Sequence, residues 1–315
     1  MVFVFPGQGS QAIGMGKALY GSYRAAKEVW DEADDILNMG LRRMSFEGTE
    51  GELGLTENTQ PALLTASFAA LRVIEEEVSF SPAFVAGHSL GEYTALVAAG
   101  VLEFPDALRL VRIRGKLMQE AVPDGAGAMS AIIGLDAETL GGICMGVSRG
   151  DALVVCANIN GPVQVVISGH AGAVLKASEE ARKRGAKRVV PLSVSAPSHS
   201  PLMEGAAKKF DRELSKVRLG DFRIPLVTNV EGTPCREKEK IRELLRLQLT
   251  SPVRWMDVIK RMRREGVSVA IEIGPGSVLS GLIRRIEKDM KAFNFSAPED
   301  IGAIKDFFGW ERSGR

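Results

Sequence analysis

The feature that most constrains the fold is a Gly-x-Ser-x-Gly pentapeptide at residues 87–91, which stands between an apolar run and a helix-forming segment. We predict a short buried strand at 83–86 before it and a helix at 90–100 after it. Glycine at both ends lets the backbone turn sharply without Cβ clashes. A strand, turn and helix in this order are the context of a nucleophile elbow, in which Ser89 stands exposed at the strand end, and a plain turn is the alternative.

The segments around this turn alternate between strand and helix patterns. In the first 121 residues we predict a strand at 2–5 and helical segments at 10–38, 58–79 and 106–121. The helix at 58–79 is expected to begin at Asn58 or Thr59, with Pro61 in its first turn. Strands that alternate with helices predict an α/β fold with a parallel sheet covered on both faces.

A different order begins near residue 123. The predicted elements are strands at 128–133, 152–158, 163–168 and 187–192 and helices at 136–147 and 171–185. This βαββαβ order is typical of a small ferredoxin-like domain. We therefore predict a large, α/β-hydrolase-like domain formed by 1–124 and 194–315, interrupted by a small domain at 125–193. The later predicted elements are strands at 226–230 and 268–273, helices at 237–249 and 277–289, and a loosely ordered tail from about Ala292.

Composition excludes several classes of protein. The chain has 315 residues, of which 45% are apolar and 25% charged, as in a globular protein with a full core. Its 40 basic and 39 acidic side chains give a net charge of +1, without the basic excess of a nucleic-acid coat. No membrane-spanning helix or signal peptide is expected. Cys144, Cys156 and Cys235 form no metal-binding pattern, which favours a cytoplasmic protein without a metal site.

The charge is unevenly distributed along the chain. Residues 1–110 carry 7 basic and 15 acidic side chains, a net charge of −8. Residues 111–315 carry 33 basic and 24 acidic side chains, a net charge of +9. Such variation occurs along many chains, but it also fits a basic face for an acidic partner or an anionic ligand.

A serine nucleophile needs a base, and the chain has three histidines. His88 is adjacent to Ser89, so its side chain should point away from the hydroxyl. His170 follows a predicted strand and is interpreted as a surface or capping residue. His199 lies in a loop that prolines stiffen on both sides, which is a good place for a positioned base. Elimination favours His199, and a hydrogen-bonded structural histidine is the alternative. In lipase-like hydrolases the histidine lies near the C-terminus, so the 116 residues that follow His199 and the absence of an HGGG loop weaken the hydrolase interpretation.

A second strand–turn–helix junction lies at residues 5–11, with sequence FPGQGSQ. Glycines on both sides of Gln8 allow backbone amides to face a ligand. This arrangement fits an anion or oxyanion site at the N-terminus of the following helix.

Several motifs in one order resemble a known family. They are FPGQGSQ at 5–11, GHSLGEYTALVAAG at 87–100, RG at 114–115, GAMSAIIGL at 127–135, PSH at 197–199, QLTSPVRW at 248–255 and EIGPGSVLSGL at 272–282. Together they resemble the malonyl-CoA:acyl carrier protein transacylases of bacterial-type fatty acid synthesis. The resemblance runs from about Val2 to Ile286, and a proline after Ser200 departs from the expected pattern.

The resemblance implies roles for individual residues. Ser89 would take the malonyl group as an ester, His199 would be its base, and the backbone carbonyl of Gln248 would orient that histidine. The backbone amides of Gln8 and Leu90 would form the oxyanion hole. Arg114, which the sequence alone presents as a surface charge, would bind the malonyl carboxylate. The remaining positions that match the family's active site, or share a loop with it, are His88, Asn160 and Gln11.

The resemblance also implies the substrates and partners. Malonyl-CoA would be the donor and an acidic acyl carrier protein, carrying phosphopantetheine, would be the acceptor, with no tightly bound cofactor and no metal. We expect a monomer that contacts neither nucleic acid nor membrane. Two basic clusters are candidate docking patches for the carrier protein. They are Arg182, Lys183, Arg184, Lys187 and Arg188 in the first, and Arg261, Arg263 and Arg264 in the second.

Three alternatives remain open from the sequence. A serine hydrolase or thioesterase could use the same scaffold. An acyltransferase for methylmalonyl or acetyl groups would keep the fold, although Arg114 argues for a free carboxylate on the acyl group. A non-catalytic protein that binds carrier proteins belongs to another class, and the intact Ser89 and His199 argue against it.

Overall fold

The computed structural model describes residues 1–150, 152–192 and 196–309. The described chain forms two sheets. The strands are β1 Val2–Phe5, β2 Phe84–Gly87, β3 Gly127–Ile133, β4 Val154–Gly161, β5 Gln164–His170, β6 Arg188–Pro191, β7 Leu226–Val227, β8 Pro234–Cys235, β9 Val269–Ile273 and β10 Lys291–Phe295. The helices are α1 Lys17–Ser22, α2 Arg24–Leu37, α3 Leu41–Glu47, α4 Glu50–Gly54, α5 Thr56–Glu77, α6 Gly91–Ala98, α7 Phe104–Gln119, α8 Ala137–Val147, α9 Ala171–Lys183, α10 Glu204–Leu214, α11 Lys238–Gln248, α12 Trp255–Arg264, α13 Val278–Ile286 and α14 Ile301–Phe307.

The larger sheet has six strands in the order β10-β9-β1-β2-β7-β8. The first five run parallel to their neighbours, and β8 is an antiparallel edge strand. Because side chains alternate along a strand, Phe3 and Phe5 of β1 enter one core cluster, and Val2 and Val4 enter another on the opposite face. Burial on both faces explains why β1 is a continuous apolar run. The predicted α/β fold with a parallel sheet is confirmed.

The smaller sheet has four antiparallel strands in the order β4-β5-β3-β6. Its chain order is strand, helix, two strands, helix, strand, as expected for the ferredoxin-like unit. The helices α8 and α9 pack on one face of this sheet. Its strand β4 is tied to the rest of the molecule through Val253, which exchanges backbone hydrogen bonds of 2.9 Å with Ile159 and Ala157. The domain boundaries at 124 and 193 stay a prediction.

The predicted disorder of the tail from Ala292 is wrong for the described residues. Strand β10 pairs in parallel with β9 along its whole length and buries Ala292 and Phe295. After it, α14 is anchored by an ion pair between Lys305 and Glu77 of α5. The local sequence does not indicate this order, because the order of the segment comes from its pairing with another strand, β9. The last part of the predicted tail, 310–315, lies outside the described residues.

Candidate active site

The turn between β2 and α6 carries Ser89 and has the shape of a nucleophile elbow. Ser89 has a φ of 51°, which is uncommon for a residue with a side chain. A Cβ on Gly87 would lie 1.9 Å from the carbonyl carbon of Gly91, and one on Gly91 would lie 2.0 Å from the carbonyl oxygen of Phe5. Both positions therefore require glycine. Backbone strain of this kind is concentrated at functional sites, where the surrounding packing maintains it.

A histidine from a distant loop reaches the serine. The Nε2 atom of His199 lies 2.8 Å from Oγ of Ser89, and its Nδ1 atom lies 2.7 Å from the backbone carbonyl oxygen of Gln248. Because a carbonyl oxygen only accepts, the proton of the neutral ring sits on Nδ1, and the Nε2 lone pair faces the serine hydroxyl. His199 also has a positive φ of 58°. The pair is thus set up for proton transfer from Ser89 to His199.

The surroundings of His199 keep its imidazole neutral. Burial and, second, the positive charge of Arg114 lower the pKa of His199 to about 3, against the hydrogen bond to the carbonyl of Gln248. The side chain is 3% exposed. Both causes disfavour a second positive charge at this place. The imidazole is therefore available as a base over the whole neutral range.

Arg114 of α7 points inward, not into solvent as its sequence neighbours suggest. It is 1% exposed. Its Nη1 donates to Oε1 of Gln60 at 2.9 Å, and its Nη2 donates to the side-chain oxygen of Gln248 at 2.9 Å and to Oγ of Ser89 at 3.2 Å. The guanidinium carbon lies 5.4 Å from the ring centroid of Tyr93. Burial lowers the pKa of Arg114, but a guanidinium stays charged at any pH at which a protein is folded.

A buried polar network lies beneath the elbow. Glu92 is 2% exposed and accepts hydrogen bonds from the backbone N–H of Asn229, at 3.0 Å, and from the side-chain amide of Gln248. The side chain of Asn229 accepts from the N–H of Ser89 at 2.7 Å and donates to the carbonyl of Gly87 at 2.6 Å. Burial raises the pKa of Glu92 to about 7, and the two donors with Arg114 oppose it. The network holds the strained turn in place.

The loops that carry Gln8 and Leu90 lie next to each other at the cavity. Parallel pairing aligns Phe5 with Gly87, so the loops that follow β1 and β2 lie side by side. A Cβ on Gly7 would lie 2.3 Å from the carbonyl oxygen of His88, which shows how closely these loops approach. Within the described part of the chain, the N–H groups of Gln8 and Leu90 make no hydrogen bond. Both residues line the cavity at Ser89, as an oxyanion hole requires.

The other residues singled out in the sequence have structural contacts. His88 Nε2 lies 2.8 Å from Oδ1 of Asn160, and its ring packs 5.6 Å from that of Trp255. Gln11 turns back on its own loop, where its side-chain oxygen accepts from the N–H of Gly9 at 2.7 Å. His170 precedes α9, and its Nδ1 accepts from a backbone N–H at 3.0 Å.

The groups around Ser89 line a partly open cavity of about 80 Å³ between the two sheets. The lining residues are Gln8, Gln60, His88, Ser89, Leu90, Arg114, Met118, Met129, Asn158, Leu192, Ser198 and His199. Gln11 and Asn160 do not line it. Sequence reasoning missed Gln60, Glu92 and Asn229, of which Glu92 carries a usable signal as the one acidic residue in the otherwise apolar α6.

Two further findings concern the described residues. No group of three or more histidine, cysteine, aspartate or glutamate side chains there is arranged to hold a metal ion. Among these same residues, no helix is both long enough and apolar enough to cross a membrane.

Comparison with known proteins places the chain in a family. Residues 2–302 match the profile of the acyl transferase domain. The chain belongs to the acyl transferase family. A malonyl CoA-acyl carrier protein transacylase of Bacillus subtilis is 50% identical over 301 residues, which cover 96% of this acyl transferase and 95% of the relative. The protein of the same name in Escherichia coli K12 is 46% identical, with 96% and 97% covered.

Solved structures agree with the sequence relatives. An acyl carrier protein S-malonyltransferase from Vibrio cholerae superposes on this acyl transferase with a TM-score of 0.94 at 43% identity, covering 96% of this chain and 99% of the other. A malonyl-transacylase solved in complex with its type II PKS acyl-carrier protein gives a TM-score of 0.94 at 44% identity, with 97% and 99% covered.

Proposed function

We propose that this acyl transferase moves a malonyl group from malonyl-CoA to the phosphopantetheine thiol of an acyl carrier protein, through a malonyl ester on Ser89. The observation that carries the proposal is the meeting of Ser89, His199 and Arg114 in one small buried cavity. The relatives and solved neighbours are named malonyl transacylases or malonyltransferases, which supports malonyl over methylmalonyl and supports transfer over hydrolysis.

The first half-reaction forms the ester. The oxygen of Ser89 attacks the thioester carbonyl carbon while Nε2 of His199 takes the hydroxyl proton. The negative charge that develops on the carbonyl oxygen is held by the amides of Gln8 and Leu90. The carbon–sulfur bond then breaks, and the protonated His199 gives its proton to the departing CoA thiolate. The carbonyl of Gln248 supports the imidazolium in the way a triad carboxylate does elsewhere.

The second half-reaction is the reverse with a new thiol. His199 takes the proton of the phosphopantetheine thiol, and the thiolate attacks the serine ester. The tetrahedral intermediate collapses, and the proton returns to Oγ of Ser89. Throughout, the guanidinium of Arg114 binds the malonyl carboxylate with a planar pair of N–H donors. Nucleophile, base and carboxylate clamp are all side chains of this chain, so we propose no tightly bound cofactor.

The ester must survive until the carrier protein arrives. We propose that the cleft between the two sheets, which holds Ser89, shields the ester from activated water. Its walls come from both sheets, with Met129 and Leu192 on the side of the smaller one. Exclusion of water from this cavity favours transfer to a thiol over hydrolysis.

The test is the mass of the intact protein after it is mixed with malonyl-CoA. Wild type should gain one malonyl group and lose it when a phosphopantetheinylated carrier protein is added. Ser89→Ala should gain nothing, and Ser10→Ala, in the other glycine-bounded loop, should behave as wild type. A malonyl adduct that persists in Ser89→Ala, or CoA release that ignores the carrier protein, would contradict the proposal.

The docking surface for the carrier protein is part of the same proposal. Arg182, Lys187 and Arg188 are exposed near the end of α9 and the start of β6, and β6 leads to Leu192 in the cavity wall. In this first cluster Lys183 and Arg184 pair with Glu180 at 3.5 and 3.4 Å, which leaves three cations without an ion pair among the described residues, whereas in the second cluster Arg261 pairs with Glu265 at 2.7 Å, which leaves two. We therefore favour the first cluster as the acidic partner's contact.

Charge reversal distinguishes the two clusters. Arg182→Glu with Arg188→Glu should raise the KM for the carrier protein several-fold at low salt, and the effect should shrink at high salt. The KM for free pantetheine as acceptor should not change. The matched control reverses Arg263 and Arg264. If the KM for the carrier protein changed only in this control variant, the docking site would lie on α12 instead.

We also propose that the enzyme acts as a monomer in the cytoplasm. All groups assigned to the reaction come from one chain, and the three cysteines are free, as in a reducing compartment. Sedimentation of the active enzyme at assay concentration tests the oligomeric state, and a stable dimer would contradict it.

A further inference from the structure

A hydrogen-bond chain connects Glu92, Gln248 and Arg114 beneath Ser89. Glu92 and Gln248 are 2% and 0% exposed, so water cannot replace either partner. The side-chain NH2 of Gln248 donates to Glu92 and to the backbone carbonyl of Ser89, the latter at 3.0 Å. Its side-chain oxygen accepts from Nη2 of Arg114 at 2.9 Å. The reaction described above gives Glu92 no task.

The direction of these bonds follows from the chemistry of the groups. Both oxygens of Glu92 accept hydrogen bonds, from Asn229 and from Gln248, which is the geometry of a carboxylate. A carboxylate only accepts, so the amide of Gln248 must turn its NH2 toward Glu92. Its oxygen is thereby left facing Arg114, which only donates. The orientation of one amide is thus fixed from both ends.

We propose that Glu92 is a positioning residue that acts through Gln248 to hold Arg114 ready for the acyl carboxylate. The assignment rests on the proposed function, because it assumes a malonyl group at Ser89. The amide of Gln248 also separates two opposite charges. A direct ion pair with Glu92 would occupy the guanidinium, and the substrate carboxylate would have to displace it. Because the contact runs through the amide of Gln248, Arg114 is held in place and its guanidinium stays available to the substrate carboxylate.

A purely structural role for Glu92 predicts a different result. Through Asn229, Glu92 also supports the elbow itself, since Asn229 accepts from the N–H of Ser89. Loss of that support would slow attack on every thioester by a similar factor. Loss of the alignment of Arg114 slows only the reaction of an acyl group that carries a carboxylate. The ratio of malonyl to acetyl transfer therefore separates the two roles.

The experiment measures ester formation on Ser89 from malonyl-CoA and from acetyl-CoA in Glu92→Gln, at a pH above 7 so that Glu92 of wild type is ionised. The side-chain NH2 of the new glutamine can face the NH2 of Gln248. The amide of Gln248 then rotates, so that its NH2 faces the guanidinium of Arg114 and repels it. We expect the malonyl-to-acetyl ratio of rate constants to fall about tenfold, the effect of losing a hydrogen bond to a charged group. An equal loss with both substrates, or an unchanged malonyl rate, would overturn the assignment.

Two variants serve as controls. Glu92→Asp keeps an acceptor-only group and should keep the wild-type ratio, even where both rates fall. Glu272→Gln neutralises a second buried carboxylate, which accepts from the N–H groups of Leu279 and Ser280 at the start of α13. It should leave the ratio unchanged. A ratio that falls in Glu272→Gln would show that loss of any buried charge is sufficient.

A further variant tests the chain from its other end if Glu92→Gln does not fold. Gln248→Met keeps the backbone carbonyl that orients His199 and removes the side-chain amide. The malonyl-to-acetyl ratio should fall in this variant too, and an unchanged ratio would contradict the proposal. Failure of wild type to form any malonyl ester would overturn the proposed function itself, so the two failures are distinguishable.

Discussion

At the residue scale, we expect Arg114 to give the site its preference for an acyl group that carries a carboxylate. It is buried, and within the described chain it forms no ion pair with a carboxylate. Arg114→Ala should lower ester formation from malonyl-CoA about 100-fold more than from acetyl-CoA, because a bidentate pair with the substrate is lost. Arg109→Ala, on the same helix but exposed, should change neither rate. Equal losses with both substrates would remove the clamp role.

The pKa of His199 predicts an unusual pH dependence. The proposed base is the neutral form of His199, whose pKa is lowered to about 3 by burial and then by Arg114. Activity should therefore persist as pH falls through 6.5, the ordinary histidine value, and decline only at lower pH. In Arg114→Ala the second cause is gone, so the decline should move toward pH 6.5. Ester formation from acetyl-CoA against pH checks this, and a decline centred at 6.5 that persists in Glu92→Gln would contradict it.

Glu92 also titrates in this range, since burial raises its pKa to about 7. The same pH profile measured in Glu92→Gln lacks that ionisation. If the decline of activity at low pH remains in Glu92→Gln and moves toward pH 6.5 when Arg114→Ala is added, it reports the ionisation of His199.

The candidate site could be predicted from sequence only where a residue's local context is distinctive. Ser89 is marked by its flanking glycines, and His199 by elimination among three histidines. Arg114 has no local signal, because the charged residues around it on α7 suggest a solvated face. Asn229 lies in the turn after the short strand β7, far along the chain, and nothing near it indicates that its amide holds the elbow.

Among the elements, α5 shows how a tertiary contact overrides a local rule. The sequence predicts a start at Asn58 or Thr59, because proline belongs in a first turn. The helix instead begins at Thr56, which places Pro61 inside it. Pro61 cannot donate to the carbonyl of Glu57, and Arg112 of α7 donates there at 2.6 Å. The predicted start is wrong because the hydrogen bond that Pro61 cannot make is replaced by one from another helix, which the local sequence does not show.

The close packing of the elbow predicts that the fold depends on glycine at position 91. Gly91→Ala should destabilise the fold by about 3 kcal/mol, since its Cβ would lie 2.0 Å from a backbone oxygen of β1. Gly142→Ala is the matched control, because Gly142 lies in α8 with open space at the Cβ position. It should stabilise the fold by about 0.5–1 kcal/mol. Urea unfolding measures both, and equal effects would contradict the tight approach of α6 to β1.

At the scale of the whole molecule, the alternation of strands and helices was sufficient to predict an α/β fold with a ferredoxin-like unit. The order of strands in the larger sheet was not predictable. Its central strand β1 pairs with β2 and with β9, which are about 80 and 270 residues away in the chain. Such pairings depend on packing across the whole chain, and no local pattern records them.

The unpaired charge of Arg114 also has a consequence for the stability of the empty enzyme. Its guanidinium is buried, its Nε has no hydrogen-bond partner among the described residues, and its charge is balanced only across an amide. A small dicarboxylate that enters the cavity supplies the missing counter-ion and binds the folded state alone. Free malonate should therefore raise the unfolding free energy, by about 2.7 kcal/mol at one hundred times its Kd.

Thermal unfolding with malonate, against uncharged malonamide at matched ionic strength, measures this stabilisation. Malonamide should have little effect, and malonate should have none in Arg114→Ala. Equal stabilisation of wild type and this variant would mean that the anion binds elsewhere. The side chain proposed to bind the acyl carboxylate would thus also couple binding of a carboxylate to folding, so we expect the enzyme to be least stable when its site is empty.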